Sequence, residues 1–545
     1  MGLDVLLHVT QNTLQALPDD PLRQVIPEPN VVQLMVERGW LGTKSGQGFY
    51  KAVDTDRGRE FHELDLHTLT YHPPTRLQAP SLAQARAVED LQQRLRLLVY
   101  ADDRAGRFLW KVTSATLLYA ARLIPEIADD IVRVDRAMRW GFNWGLGPFE
   151  TWDALEVPRV AARLAQEGHT LPPLVQALLD SGHTAFYQEV QGTRRYFDLA
   201  QRAYVAEPVA PRCLRLAPLK AQQRVVCRNP GASLIDLGEG VACLEFHTKM
   251  NTIGADIVAM LQRAAEEVDR RFEGLVIGNE GEHFSAGANL ALILLEAQNE
   301  NWDVLEAMVR TFQETLLALK YLGKPVVAAP FGMTLAGGCE VCLAAHRVRA
   351  AAETYMGLVE VGVGLIPAGG GCKELLLRQQ EGLPSDVHLD LFPLVQRVFL
   401  TIGQAKVSGS AAEARQLGFL RPSDGITLNR DELLYDARQV VLDMLAEGYT
   451  PPRPAKIRVL GRTGYANLLV ALYNMEIARA ITPYDRHIGR KLAYVLSGGD
   501  VPEGSLVSEQ HLLDLEREAF LSLCGEAKSQ ERMRHMLETG KPLRN

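Results

Sequence analysis

Apolar positions recur at helical spacing through the first part of the chain and give way to short strand-like runs after about residue 240. A helix is predicted over about Leu3 to Leu17, then a Pro-rich break at Pro18, Pro21, Pro27 and Pro29, then a second helix over about Val31 to Arg38. The second helix runs into Gly39-Trp40-Leu41-Gly42-Thr43-Lys44-Ser45-Gly46-Gln47-Gly48-Phe49-Tyr50. Glycines among aromatic rings specify a fixed irregular loop, because glycine permits left-handed backbone and the rings bury it. Residues 53 to 80 are polar. His62, His67 and His72 recur there every fifth residue, which does not keep them on one helix face, so the stretch is expected to be a solvated connector, not a metal site. From Leu82 to about Ile127 the helical period returns, with Phe108, Val112, Ala115, Leu118 and Ala121 on its apolar stripe. A second Gly-aromatic loop, Asp135 to Glu150, precedes a helix. A mixed stretch from about Phe186 to Ile235, broken by Pro208, Pro211 and Pro218, is expected to connect domains.

The period then changes. Val241 to Phe246 and Gly274 to Gly278 read as buried strands, Gly254 to Glu267 as a helix, and a helix over Trp302 to Leu322 leads into Pro325-Val326-Val327-Ala328-Ala329-Pro330. Strands and helices alternating at this length argue an α/β domain with βα crossovers. From about residue 430 the tail is charged and helical, with acid- and Arg-bearing stretches such as Leu513 to Glu518. The fold class is therefore multidomain, α followed by α/β. A length of 545 residues agrees, at roughly 150 residues per domain.

Charge and cysteine usage narrow the function classes. A net charge of −8 lacks the footprint of a nucleic-acid binder. The N-terminus has no basic n-region, and no apolar run approaches the roughly 18 residues of a membrane span, so neither secretion nor integral membrane insertion is expected. The 7 cysteines are scattered, as reduced thiols of a cytoplasmic protein would be. Cys339 and Cys342 form a lone C-x-x-C with no second pair to complete a zinc site, and no metal is expected.

Candidate chemistry sits in the α/β part. In Phe284-Ser285-Ala286-Gly287-Ala288-Asn289-Leu290 and in Thr334-Leu335-Ala336-Gly337-Gly338-Cys339-Glu340, small residues follow a strand and precede a helix. Bare backbone N–H groups at such helix starts can converge on a developing oxyanion; close helix–strand packing would need the same small residues. Glu340 stands in an otherwise apolar helix and Glu360 in Met356-Gly357-Leu358-Val359-Glu360-Val361-Gly362-Val363-Gly364-Leu365-Ile366-Pro367. Buried acids of this kind can form a general acid–base pair, or can cap a helix or pair with an arginine. Ala368-Gly369-Gly370-Gly371 lacks the Lys-Ser/Thr of a phosphate loop and is expected to be a turn before a helix, and Ser410 has the spacing of an N-cap.

Together these motifs resemble the crotonase superfamily. The Ser-Ala-Gly-Ala-Asn loop is similar to that family's A-G-A-D loop, Leu-Ala-Gly-Gly-Cys-Glu to its G-G-G-C-E motif, and Val-Glu-Val-Gly-Val-Gly-Leu-Ile-Pro to its P-E-x-x-x-G-x-x-P stretch, with Asn289, Ala336 and Val359 as departures. The resemblance implies oxyanion N–H groups from Ala288 and Gly337, catalytic carboxylates Glu340 and Glu360, and backbone contacts from the Ala286 to Leu290 loop to the adenine end of coenzyme A. The N-terminal half, through Gly2-Leu3-Asp4-Val5, Gly39 to Tyr50 and Asp135 to Asp153, resembles the C-terminal helical domains of 3-hydroxyacyl-CoA dehydrogenases, and the whole order resembles bacterial bifunctional β-oxidation proteins.

The organisation so implied is a partial dehydrogenase-like helical domain at 1–52, a connector at 53–103, a second such domain at 104–207, a linker at 208–235, a crotonase-like enoyl-CoA hydratase domain at 236–425 and a helical extension at 426–545. The expected activity is hydration of trans-2-enoyl-CoA, with double-bond isomerisation and non-catalytic acyl-CoA binding or assembly as alternatives. Hydration needs no cofactor. The family's NAD site has no counterpart, because no G-x-G-x-x-G occurs in the chain. A NAD-binding domain in trans, a thiolase and self-association are the expected partnerships beyond the acyl-CoA substrate.

Overall fold

Val241–Phe246, Gly274–Ile277 and Val326–Ala328 are apolar at nearly every position, as strands covered on both faces must be. The exception, Glu245, is buried and held by Lys220 at 2.6 Å. In the computed structural model these strands form the middle of a seven-stranded sheet. Its order is Gly425–Thr427, Arg347–Ala351, Val326–Ala328, Gly274–Ile277, Val241–Phe246, Ala232–Gly238, Val225–Arg228. The first five run parallel, and the last two are antiparallel additions. Helices Ala255–Arg271 and Leu433–Ala446 pack on this sheet. This is an α/β domain with parallel strands and covering helices, the class expected from the alternation of strands and helices.

The structure describes residues 2–20, 31–55, 58–75, 77–88, 90–190, 192–208, 211–384 and 389–545. Pro21, Pro27 and Pro29 of the expected break lie outside them. The chain divides into two compact units, one ending at Pro208 and the other starting at Val209.

In the first unit, helices Arg104–Arg122, Ile131–Phe142, Pro148–Ala154, Val157–Gln166 and Pro173–Asp180 enclose a core of Trp110, Leu117, Phe149, Trp152, Leu164, Leu178 and Phe186. The stretch expected to be a second Gly-aromatic loop is helical as far as Phe142 and again from Pro148, so only 143–147 is irregular; buried Asp135, on the first of these helices, accepts the N–H groups of Phe149 (2.8 Å) and Glu150 (3.0 Å) at the start of the second.

Three expectations are corrected here. Residues 53–80 are not merely a solvated connector: Tyr50–Thr55, Gly58–Leu64 and Tyr71–His72 form a three-stranded antiparallel sheet. Only Leu64 of these strands is fully buried, joining Leu3 and Met35, so the strand alternation was too faint to read. The 208–235 segment is not a free linker, because Val225–Arg228 and the start of Ala232–Gly238 are sheet strands. Phe108 and Val112 do not face the core; they are 65% and 49% exposed, and the buried stripe runs through Ala105, Trp110, Ser114, Leu117 and Ala121.

Candidate active site

Four loops and helix ends meet beside the parallel strands, and strand register brings them there. Gly332–Leu335 pairs in parallel with Thr354–Gly357, Leu335 opposite Gly357, so the two chains leave their strands side by side. One enters helix Gly337–Ala344, bearing Glu340; the other enters the turn Glu360–Val363, bearing Glu360. A further parallel bridge, Ser285 to Thr334, lays the Ala286–Leu290 loop along the same edge. Ser285 locks it, donating its hydroxyl to Asn251 O (2.7 Å) and accepting the Gly287 N–H (3.1 Å).

This packing brings Ala288 and Gly337 together. A Cβ placed on Gly337 would lie 3.6 Å from the Ala288 nitrogen, and one on Gly287 would lie 2.7 Å from Ala336 Cβ and 3.3 Å from the Gly337 nitrogen. Gly287 has φ +96°, so glycine is needed there for both backbone and space. Gly337 is the first residue of its helix, where N–H groups have no helical partner. Among the described residues neither the Ala288 nor the Gly337 N–H donates to a protein acceptor. Two neighbouring free donors at a helix start are what an oxyanion site requires. In the same loop, Ala286 donates its N–H to Met250 O (3.1 Å), and Leu290 opens a helix capped by Asn289.

The carboxylates are brought together as well. Glu340 is 4% exposed, and its Oε1 accepts the N–H groups of Gly369 (2.7 Å) and Gly371 (2.9 Å). Burial drives its pKa up to about 7, against the lowering effect of those two bonds and of Lys373. The bonds also identify the turn Ala368–Gly371 as the cradle of Glu340. A Cβ on Gly369 would meet Glu340 Oε2 at 2.5 Å. Glu360 is partly exposed as a residue, yet its Oε2 is shut away from solvent without a hydrogen-bond partner. Burial, and then the charges of Glu340 and Glu516, hold its pKa well above the ordinary carboxylate range.

Glu516 was not singled out by sequence reasoning. It comes from helix Glu509–Cys524, is 0% exposed, and accepts the N–H groups of Gly370 (2.9 Å) and Lys373 (2.7 Å). Its signal was its place on the apolar stripe of that helix, three residues after Leu513 and four after Leu512. Gln313 ties the same region together, donating to Ala368 O (2.7 Å) and Leu513 O (2.9 Å) while accepting from Arg517 (2.8 Å). Below them Lys320 and Lys373 share Glu374 and Glu509 in a buried cluster joining three helices. The C-terminal helices are thus part of the wall of the site.

Cys339 and Cys342 are buried in their helix as free thiols, with burial pushing both up. Among the described residues no group of three or more His, Cys, Asp or Glu side chains is arranged to hold a metal ion, and no helix is long and apolar enough to cross a membrane.

Comparison with known proteins agrees with this architecture. The family model described as enoyl-CoA hydratase/isomerase matches residues 236–380. A Bacillus subtilis (strain 168) protein named "Probable 3-hydroxyacyl-CoA dehydrogenase" is 48% identical over 549 residues, covering 100% of this chain and 68% of its own length. A Rickettsia felis protein named "Putative fatty acid oxidation complex trifunctional enzyme" is 26% identical, covering 99% of this chain and 66% of its own length. The chain thus spans about two thirds of these relatives. Among solved structures, an enoyl-CoA hydratase from Bacillus halodurans aligns with 56% of this chain and 98% of its own, at 16% identity and a TM-score of 0.39.

Proposed function

Because the chain belongs to the family of the Bacillus subtilis 3-hydroxyacyl-CoA dehydrogenase relative and carries an enoyl-CoA hydratase/isomerase domain, we propose that it hydrates trans-2-enoyl-CoA thioesters to 3-hydroxyacyl-CoA. The thioester carbonyl is taken up by the N–H groups of Ala288 and Gly337. As water adds at C3, electron density moves through the conjugated system onto that oxygen, and the two donors stabilise the enolate; such a donor is worth about 3 kcal/mol in the transition state. Glu340 orients the water and takes its proton. Glu360 delivers a proton to C2, collapsing the enolate. The Ala286 to Leu290 loop holds the adenine end of coenzyme A through its backbone. No metal or redox cofactor enters these steps.

The observation that carries this reading is the pairing of two carboxylates of different character, Glu340 buried and Glu360 half-buried, beside two free N–H groups. Glu340 is supported as an anion by two backbone donors, the state of a base. Glu360 has no such support on Oε2 and sits beside negative charge, the state of an acid. Loss of conjugated-thioester absorbance with crotonyl-CoA tests it, and folded protein inactive on short, medium and long enoyl-CoAs would favour acyl-CoA binding without turnover.

The dehydrogenase step named in the relatives needs a nucleotide site that these 545 residues do not encode in recognisable form, since they hold no G-x-G-x-x-G turn. We propose that NAD-dependent oxidation requires a further nucleotide-binding domain. Val5, Leu6 and Val9 on the first helix, with Phe108 and Val112 on another, offer exposed apolar side chains for such a domain, for a thiolase or for self-association.

A further inference from the structure

Helices Gly461–Ile477, Pro483–Leu496 and Glu509–Cys524 border a cleft of about 370 Å3, within the size range of small-molecule pockets. One end of it is shaped by Gly498 and Gly499, with φ of +83° and +78°; a Cβ on Gly499 would stand 3.2 Å from Leu515 Cδ1 and 3.5 Å from the Tyr494 hydroxyl, both in the cleft wall. Glu516 of the third helix turns toward Gly370 and Lys373, whereas Leu515, Glu518 and Ala519 face the cleft. The cleft thus lies on another flank of the helix that walls the active site. The Ala286 to Leu290 loop is not among its walls.

Three kinds of wall meet here. The first is cationic: His487, Arg490 and Lys491, three and four residues apart, share one face of helix Pro483–Leu496. Arg486 of the same helix is bound by Glu476 at 2.6 Å, and His487 lies 3.6 Å from Glu526 and stacks on Tyr484. Arg490 and Lys491, by contrast, have neither an ion-pair nor a hydrogen-bond partner among the described residues. The second wall is aromatic and apolar. The Tyr465 and Tyr494 rings meet edge to face at 5.6 Å and 78°, with Leu515 and Ala519 beside them. The third is Glu518, an exposed carboxylate that no described cation pairs with. Two bases and an acid that line one cleft without bridging one another leave room for a ligand that carries an anion, a flat apolar body and hydroxyl donors together. A bare anion, or a fatty carboxylate, would bring no donor to Glu518.

We propose that this cleft binds a nucleoside phosphate, with its phosphate on Arg490 and Lys491, its base against the Tyr465 and Tyr494 rings and its sugar hydroxyls donating to Glu518. Guanidinium and ammonium groups hold phosphate oxygens through charge-assisted hydrogen bonds, and an aromatic ring takes the flat base by stacking. Occupancy of the cleft does not depend on the reaction proposed for the active site.

Isothermal titration of the full chain with ADP, adenosine and inorganic phosphate tests this. ADP is expected to bind, and adenosine and phosphate each at least about tenfold more weakly, because each supplies only part of the match. Arg490→Gln/Lys491→Gln alters two side chains without protein partners, so its thermal melt should be retained while ADP affinity falls at least about tenfold, the loss of one charge-assisted hydrogen bond. Glu518→Gln is expected to weaken ADP and adenosine alike by about threefold, while phosphate binds no more weakly than before. Unchanged ADP affinity in the folded double variant would overturn the proposal, because ADP would then occupy the coenzyme A loop or another surface. So would an unmodified chain that takes up no ADP at millimolar concentration, or one that binds inorganic phosphate as tightly as ADP.

Discussion

Replacing Gly369 by alanine tests the cradle of Glu340 with a single methyl group. Gly369 does not have the left-handed φ that would itself penalise alanine, so the effect reports contact and not backbone strain. Its Cβ would stand 2.5 Å from Glu340 Oε2 and 2.5 Å from Phe312 Cε1, where ordinary contact needs about 3.5 Å. The carboxylate must therefore retreat by roughly 1 Å, which breaks at least one of its bonds to the Gly369 and Gly371 N–H groups. A hydrogen bond to a charged group contributes about 1.5 to 3 kcal/mol, and about 1.4 kcal/mol is tenfold in rate. The expected loss is about ten- to a hundredfold in kcat for crotonyl-CoA, with KM little changed because Ala288 and Gly337 are untouched. A second readout has a definite sign. Glu340 works as a base, so activity should rise as pH passes its pKa of about 7, and losing a donor to the anion should move that rise to higher pH. Folded Gly369→Ala with unaltered kcat and an unaltered acid limb would refute the argument.

Glu340→Gln and Glu360→Gln should each lower turnover by at least about a hundredfold in steady-state assays, the lower end for a lost general acid or base. Gly337→Pro deletes one proposed oxyanion donor at a first helical position, where proline is tolerated; abolished turnover with a retained thermal melt is the expected result, and an active folded enzyme would remove Gly337 from the mechanism. Glu374→Gln should destabilise the second unit by about 3 to 5 kcal/mol in denaturant titration, because it leaves Lys320 and Lys373 short of a buried partner. The same residue sets an acid limit: its pKa is lowered from 4.5 to about 2, so its contribution is complete above about pH 4.5 and is lost as pH falls toward 2.

Legibility in the sequence followed how strongly each element is patterned. The buried strands Val241–Phe246 and Gly274–Ile277 announce themselves by unbroken apolar runs, and Glu340 by being a lone acid in an apolar helix. Ser410 was recognisable as a cap from spacing alone, and its side chain does accept the Glu413 N–H. The small sheet at 50–72 buries little of either face, and in the three-stranded sheet of Tyr187–Val190, Thr193–Asp198 and Ala203–Ala206 only the adjacent pair Tyr196 and Phe197 is buried, so period two never emerges from their polar residues. Phe108 and Val112 misled because a helix stripe of the right period was apolar on a face left exposed. Glu516 was hidden for a different reason. An acid in a charged C-terminal helix looks solvated until tertiary packing shows that its partners are backbone N–H groups of a turn roughly 145 residues earlier.

Hydration is distinguished most directly by where the atoms of water end up. Incubating trans-2-enoyl-CoA with the purified chain in heavy-oxygen water, and in parallel in deuterium oxide, separates the three outcomes by mass spectrometry of the product. Hydration by Glu340 and Glu360 predicts one labelled oxygen at C3 and one solvent deuteron at C2 of a 3-hydroxyacyl-CoA. Solvent deuterium entering with the double bond displaced and no labelled oxygen would instead mark an isomerase, and a folded chain that leaves the thioester unlabelled would contradict catalysis at this site.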